Sequence, residues 1–227
     1  MLYVCRAEWR KAMIKVERIP AAGENAAIST MVMAFSADPA ARWLYPDSQQ
    51  YLEYFPSFVK AFAGAAFEHD SAYCIEGYSG VALWLPPGIH PDEKAIVALL
   101  ERTVPEPHQA EVFAVLEQMD SHHPPEPHWY LPMIGVDPAK QGNGYGSALL
   151  KHALEHCDGD SKLAYLESSS PKNIPLYERH GFELLGTIQV GSSQALFPMV
   201  RKPNPSKLNR KISMSAGSTS TKPQASS

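Results

Sequence analysis

Long hydrophobic runs are missing from this chain. None of its apolar stretches approaches the ~20 residues that cross a bilayer, so no membrane partner is expected. Cysteine is scarce. Cys5, Cys74 and Cys157 are the only three; they are far apart and odd in number, and no C-x-x-C or Cys/His metal spacing joins them. A disulfide framework and a zinc ribbon are thereby excluded, and reduced thiols are expected. Charge is sparse at 19% of residues, and basic charge is scarcer than acidic. Residues 203–227 carry Lys207, Arg210, Lys211 and Lys222 with seven serines, no acid and no aromatic. Such a segment cannot bury a core and reads as a disordered basic tail. Without its four cations the body has 16 basic and 24 acidic residues, a net of −8, which argues against nucleic acid as a partner. The first residues reach Arg6 and Glu8 too early for a signal peptide, so a cytoplasmic protein is expected.

The length suits one well-buried domain, expected over residues 15–202, after a weakly ordered extension over 1–14 and before the tail at 203–227. Strand patterns are expected at 16–19, 72–76, 81–85, 129–136 and 163–167, and a closing hairpin over 182–200. Helical spacing covers 26–35, 49–67, 91–102, 107–121, 142–157 and 173–180. Pro56 is expected to kink or split the second of these. The order gives a mixed α+β fold: antiparallel strands first, then one β-α-β unit, then a hairpin. His122, His123 and His128 lie close together, but the prolines between them suggest a surface link and not a metal site.

The segment Gly135-Val-Asp-Pro-Ala-Lys-Gln-Gly-Asn-Gly-Tyr-Gly146 carries chemistry. A strand runs into a turn with three alternating glycines, and a helix follows at once. Glycine removes the side chains that would cover the free N–H groups of a helix start, leaving a site for a pyrophosphate. No Gly-Lys-Ser/Thr follows, so it is not a P-loop, and the dinucleotide fingerprint is also absent. A plain glycine turn remains the other reading. A second run, Asn173-Ile-Pro-Leu-Tyr177-Glu-Arg-His-Gly181-Phe182, puts Tyr177 one helical turn beyond Asn173, on the same face. A phenol with a pKa near ~10 is a proton donor at neutral pH. An ordinary packed tyrosine is the other reading.

Together these two runs resemble the GNAT acyltransferase superfamily. Residues 25–201 further resemble its puromycin N-acetyltransferase group, in Ala-Leu-Trp84, Glu126-Pro-His-Trp129-Tyr-Leu, Gly-Val-Asp-Pro and Leu166-Glu167-Ser-Ser. The resemblance implies a mostly antiparallel sheet with a splayed β-α-β cofactor site, and acetyl transfer from acetyl-CoA to an amine, with coenzyme A as product. It implies that the main chain of Ile134 and Val136 binds the pantetheine arm. It implies that Gln141, Gly142, Asn143, Gly144, Gly146 and Ser147 hold the pyrophosphate, that Asn173 faces the cofactor and that Tyr177 is the general acid. The superfamily's usual glutamate base has no counterpart in Trp129-Tyr-Leu-Pro-Met-Ile-Gly-Val136, so Glu167 on the next strand is the candidate base, or else a structural hydrogen-bond partner. Asp38, Trp43, Trp84 and Trp129 are candidate acceptor contacts, the tryptophans being core residues otherwise. The expected acceptor is the amine of a small molecule, a class that includes xenobiotic and antibiotic-like amines. The alternatives are a peptide or protein amine, or a non-catalytic acyl-CoA-binding module. A monomer or homodimer is expected.

Overall fold

The computed structural model describes residues 14–204. The expectations for the extension, the tail and Cys5 therefore lie outside the described residues, apart from Ile14, Pro203 and Asn204. Seven strands form one sheet in the order β1-β2-β3-β4-β5-β7-β6. They are β1 Val16–Arg18, β2 Ala72–Ile75, β3 Gly80–Leu85, β4 His128–Val136, β5 Leu163–Ser168, β6 Glu183–Leu184 and β7 Phe197–Arg201. Only β4 and β5 pair in parallel. The expected mixed fold with a mostly antiparallel sheet is the fold observed.

Side-chain alternation divides the core between the two faces. Val81, Leu83 and Leu85 of β3 join one cluster, and Ala82 and Trp84 join the other. The first cluster packs under α1 Glu24–Ala34, α2 Pro39–Leu44, α3 Ser48–Ala63, α4 Ala65–Glu68, α5 Glu93–Thr103 and α6 Glu106–His122. The second packs under α7 Tyr145–Gly159 and α8 Ile174–Arg179. Asp47 and Asp92 start α3 and α5 by accepting backbone N–H groups of the first turn.

Pro56 lies inside α3, which runs through it unbroken. The carbonyl that loses its donor belongs to Leu52, an exposed residue. The break comes instead at Gly64. The closing hairpin is also looser than its sequence pattern: β6 has two residues, followed by one bond from Leu185 N to Pro198 O at 2.9 Å and an isolated Ile188–Leu196 bridge. The cysteines Cys74 and Cys157 are buried and unbridged. No helix among the described residues is long and apolar enough to cross a membrane.

Gly135 brings α1 down onto β4. A Cβ there would stand 2.7 Å from Ala34 Cβ and 3.0 Å from Met31 Sδ. We expect Gly135→Ala to cost about 1–3 kcal/mol by overpacking, measured by urea unfolding.

Candidate active site

The site begins as a defect in the sheet. Pairing between β4 and β5 covers only His128–Leu163, Trp129–Ala164 and Tyr130–Tyr165, after which the strands diverge. At that point β4 has one residue more than its other neighbour: Tyr130 pairs with Leu85 but Met133 with Leu83. Pro132 occupies this bulge, where a missing N–H breaks no regular ladder. Beyond the bulge, Asp137 N donates to Ser79 O across the β3 side at 3.0 Å. Main-chain groups alternate along an antiparallel strand, so Val136 and Ile134 direct theirs to the opposite edge, the one β5 has left. The two residues expected to bind a pantetheine arm thus present their polar groups to an open seam.

The seam leads to the glycine turn. Gly142 and Gly144 have φ of 80° and 82°, a left-handed backbone that favours glycine. Gly144 is the residue before α7, and no side chain caps that helix. The helix therefore begins at Tyr145, after the turn, and only Gly146 lies in its first turn. Its leading N–H groups have no partner within the helix. Gln141, Gly142, Asn143 and Gly144 are exposed. Asn143 Nδ2 donates to Lys140 O at 2.8 Å and Gln141 Nε2 to Val136 O at 3.4 Å, which tie the turn to the strand end. Ser147 Oγ and His180 Nε2 are 2.8 Å apart, joining α7 to the end of α8. These bare donors and side-chain-free positions fit a pyrophosphate.

Beside the seam is a cavity of about 270 Å³. Its wall includes Gln141, Asn173, Tyr177, Glu167, Asp38 and Trp43, so both expected motifs and the candidate base share one space. Tyr177 is buried, and burial, then the nearby charge of Asp38, raises its pKa above the ordinary phenol value. It stays protonated at neutral pH. Glu167 occupies the face of β5 shared with Tyr165, and its side chain is 3% exposed. Its Oε1 has no hydrogen-bond partner within strict geometry among the described residues, and the phenols of Tyr130 and Tyr165 lie beside its carboxylate.

Asp38 has a structural duty. Its Oδ1 caps α2 through Ala40 N and Ala41 N, and its Oδ2 accepts from Ser169 Oγ. Burial, more than these bonds offset, raises its pKa. Trp43 lines the cavity and donates to Ser192 Oγ at 3.2 Å. Trp84 and Trp129 are corrections. Trp84 is fully buried on the α7 face of β3, and Trp129, on the same face, donates to Asp160 Oδ2 at 2.9 Å. Neither lines the cavity, although Leu131 and Leu166 of the same cluster do, at the point where β4 and β5 part.

Sequence reasoning missed the cavity floor. Phe55, Phe58 and Phe62 line it from α3, with ring centroids 5.9 Å and 5.2 Å apart in succession. Their spacing of three and four residues was the available signal. It also missed Ser169, whose role depends on a contact 131 residues away. Among the described residues no group of three or more His, Cys, Asp or Glu is placed to hold a metal ion.

Comparison with known proteins agrees with this geometry. The model of the acetyltransferase (GNAT) family matches residues 91–182, from the start of α5 through Tyr177 to Phe182. An uncharacterised N-acetyltransferase of Schizosaccharomyces pombe is 25% identical over 209 residues, covering 82% of this chain and 83% of the relative. A crystal structure from Corynebacterium glutamicum, described as histone acetyltransferase HPA2 and related acetyltransferase, superposes with a TM-score of 0.60 at 25% identity, covering 84% of this chain and 97% of that one. Arylalkylamine N-acetyltransferase 2 of Aedes aegypti shares the fold, with a TM-score of 0.60 at 14% identity, covering 85% and 100%. The splayed strands, the glycine turn and the match to the GNAT acetyltransferase family model over residues 91–182 all fall on one site, and the chain has the fold of GNAT N-acetyltransferases.

Proposed function

We propose that the chain acetylates a small amine with an apolar, aryl-compatible body, using acetyl-CoA. The observation that carries this reading is the placement of Glu167, Tyr177 and the open edge of β4 around one cavity with an aromatic floor. Acetyl-CoA, when bound, supplies a thioester carbonyl as electrophile. Ile134 and Val136 would grip its arm through main-chain groups; Gln141, Gly142, Asn143, Gly144, Gly146 and Ser147 would hold its pyrophosphate. Asn173 would face it from the start of α8. Glu167 takes a proton from the acceptor's ammonium, since only the neutral amine is a nucleophile. Tyr177 holds the proton that the departing thiolate needs.

The small-molecule reading is favoured over a peptide acceptor because α5 and α6 wall the cavity through Leu100, Val112 and Leu116. A peptide needs an open groove. The narrower kinship with puromycin-acetylating enzymes belongs to the same reading, since an aromatic floor suits an aryl-bearing xenobiotic amine. A mass-shift screen of amine and peptide pools with acetyl-CoA tests it: aryl-bearing monoamines gain acetyl and peptides do not. Acetylated peptides with unmodified small amines would reverse the assignment.

Cofactor binding has its own test. At 100-fold over its Kd, acetyl-CoA stabilises the folded state by about 2.7 kcal/mol, which for this size raises Tm by roughly 5–10 °C. Thermal unfolding that does not change at millimolar acetyl-CoA would sink the proposal.

A further inference from the structure

Glu167 is the inner end of a chain of imidazoles. His123 Nε2 lies 3.5 Å from its Oε1, within ion-pair range but without a hydrogen bond. On the other side of that ring, His123 Nδ1 and His128 Nε2 are 3.0 Å apart. His128 Nδ1 in turn lies 2.8 Å from the carbonyl oxygen of Glu126, in a solvent-exposed contact. The array therefore runs from a side chain 3% exposed to the surface of the link between α6 and β4.

The carbonyl assigns the protons. It can only accept, so His128 Nδ1 carries hydrogen. Burial, then the neighbouring rings His123 and His90, lowers the pKa of His128 and favours its neutral form. Neutral His128 offers a lone pair at Nε2, and His123 Nδ1 must donate to it. His123 Nε2 then faces Glu167 Oε1 with room for one shared proton: imidazolium against carboxylate, or imidazole against acid. The phenols of Tyr130 and Tyr165 close the box. Burial first, then the charge of Glu167, raises the pKa of both, so they remain neutral beside the exchange.

We propose that His123 and His128 relay protons from Glu167 to solvent. The inference rests on Glu167 acting as the base. The ammonium N–H of the acceptor breaks and an O–H forms on Glu167. That proton moves to His123 Nε2 as His123 Nδ1–H passes to His128 Nε2, and His128 Nδ1–H breaks its exposed hydrogen bond to Glu126 O and passes to water. The products are neutral amine, ionised Glu167 and a hydrated proton. Exchange with water resets the rings; His123, 23% exposed, is within its reach.

Two measurements test the relay. In 15N-histidine protein, His128 is expected as the Nδ1–H tautomer, and Glu167→Gln is expected to shift the His123 Nε2 signal while leaving the His128 tautomer alone. An Nε2–H tautomer at His128, or a His123 signal indifferent to Glu167→Gln, overturns the relay whether or not the enzyme acetylates any amine tested. In turnover, His123→Gln and His128→Gln should lower kcat about 10²-fold at neutral pH with unchanged KM for acetyl-CoA. Added imidazole should restore much of the loss, as should a pH high enough to supply the acceptor as free base. Wild-type turnover in both variants, or an equal loss at every pH that imidazole does not relieve, overturns it. A wild-type protein that neither binds acetyl-CoA nor acetylates amines would instead refute the function proposed above.

Discussion

Tyr177→Phe should lower kcat by about 10²–10⁴-fold and leave acetyl-CoA affinity nearly unchanged. The change removes one hydroxyl and keeps the ring, including its edge contact with Phe182 at a centroid distance of 6.0 Å, so the fold survives. What is lost, on the proposed mechanism, is the proton that the leaving thiolate takes up. Because burial and the charge of Asp38 raise the phenol's pKa, the wild-type acid form persists through and beyond neutral pH. The sign follows: any alkaline fall of kcat below the ordinary phenol range belongs to another group. Steady-state kinetics with a thiol readout and calorimetry of acetyl-CoA binding check both halves. Turnover equal to wild type would mean that water or another group protonates the thiolate.

Arg201→Leu should have the largest effect on stability. Arg201 and Asp158 are both buried and form two parallel bonds, Nη1 to Oδ1 at 2.7 Å and Nη2 to Oδ2 at 3.0 Å. Removing the guanidinium takes two charge-assisted bonds from a buried carboxylate that also accepts from Asn204 N at 2.7 Å. Breaking such a pair from one side costs about 3–5 kcal/mol, a large part of the 5–15 kcal/mol typical of a domain. Tm should fall by roughly 6–20 °C. The double variant Asp158→Leu with Arg201→Leu should recover part of the loss, because no charge is then stranded. The pair also supports the site: Arg201 Nε donates to His180 O at 3.0 Å, and His180 meets Ser147 at the start of α7. A denaturation midpoint unchanged in Arg201→Leu would show that the pair contributes nothing.

The fold was legible in sequence because local rules govern it. The strand-turn-helix order around Gly142 and Gly144 is as expected, but their left-handed backbone holds them in the turn and delays the helix from Gly142 to Tyr145. The acceptor side was less legible because its determinants are distant in sequence. Whether Trp84 faces a cavity or a core depends on strand alternation and on which helix covers that face. Asp38 looked like a substrate anchor, yet it is tied down as a helix cap and as the partner of Ser169. Pro56 does not split α3, which runs on to Ala63 and ends at Gly64. His123 and His128 seemed a surface link, and only the fold shows that one of them reaches Glu167.

The open edge of β4 has an evolutionary reading. On the proposed mode of binding, the cofactor is gripped by peptide groups that every sequence possesses, so most substitutions on β4 leave that grip intact. The side chains of the same strand, and those of α3 and α6 across the cavity, are released from that duty. Acceptor preference can therefore drift in descendants of this chain through ordinary replacements at Phe58, Leu116 or Met133, without relearning how to hold the acetyl donor.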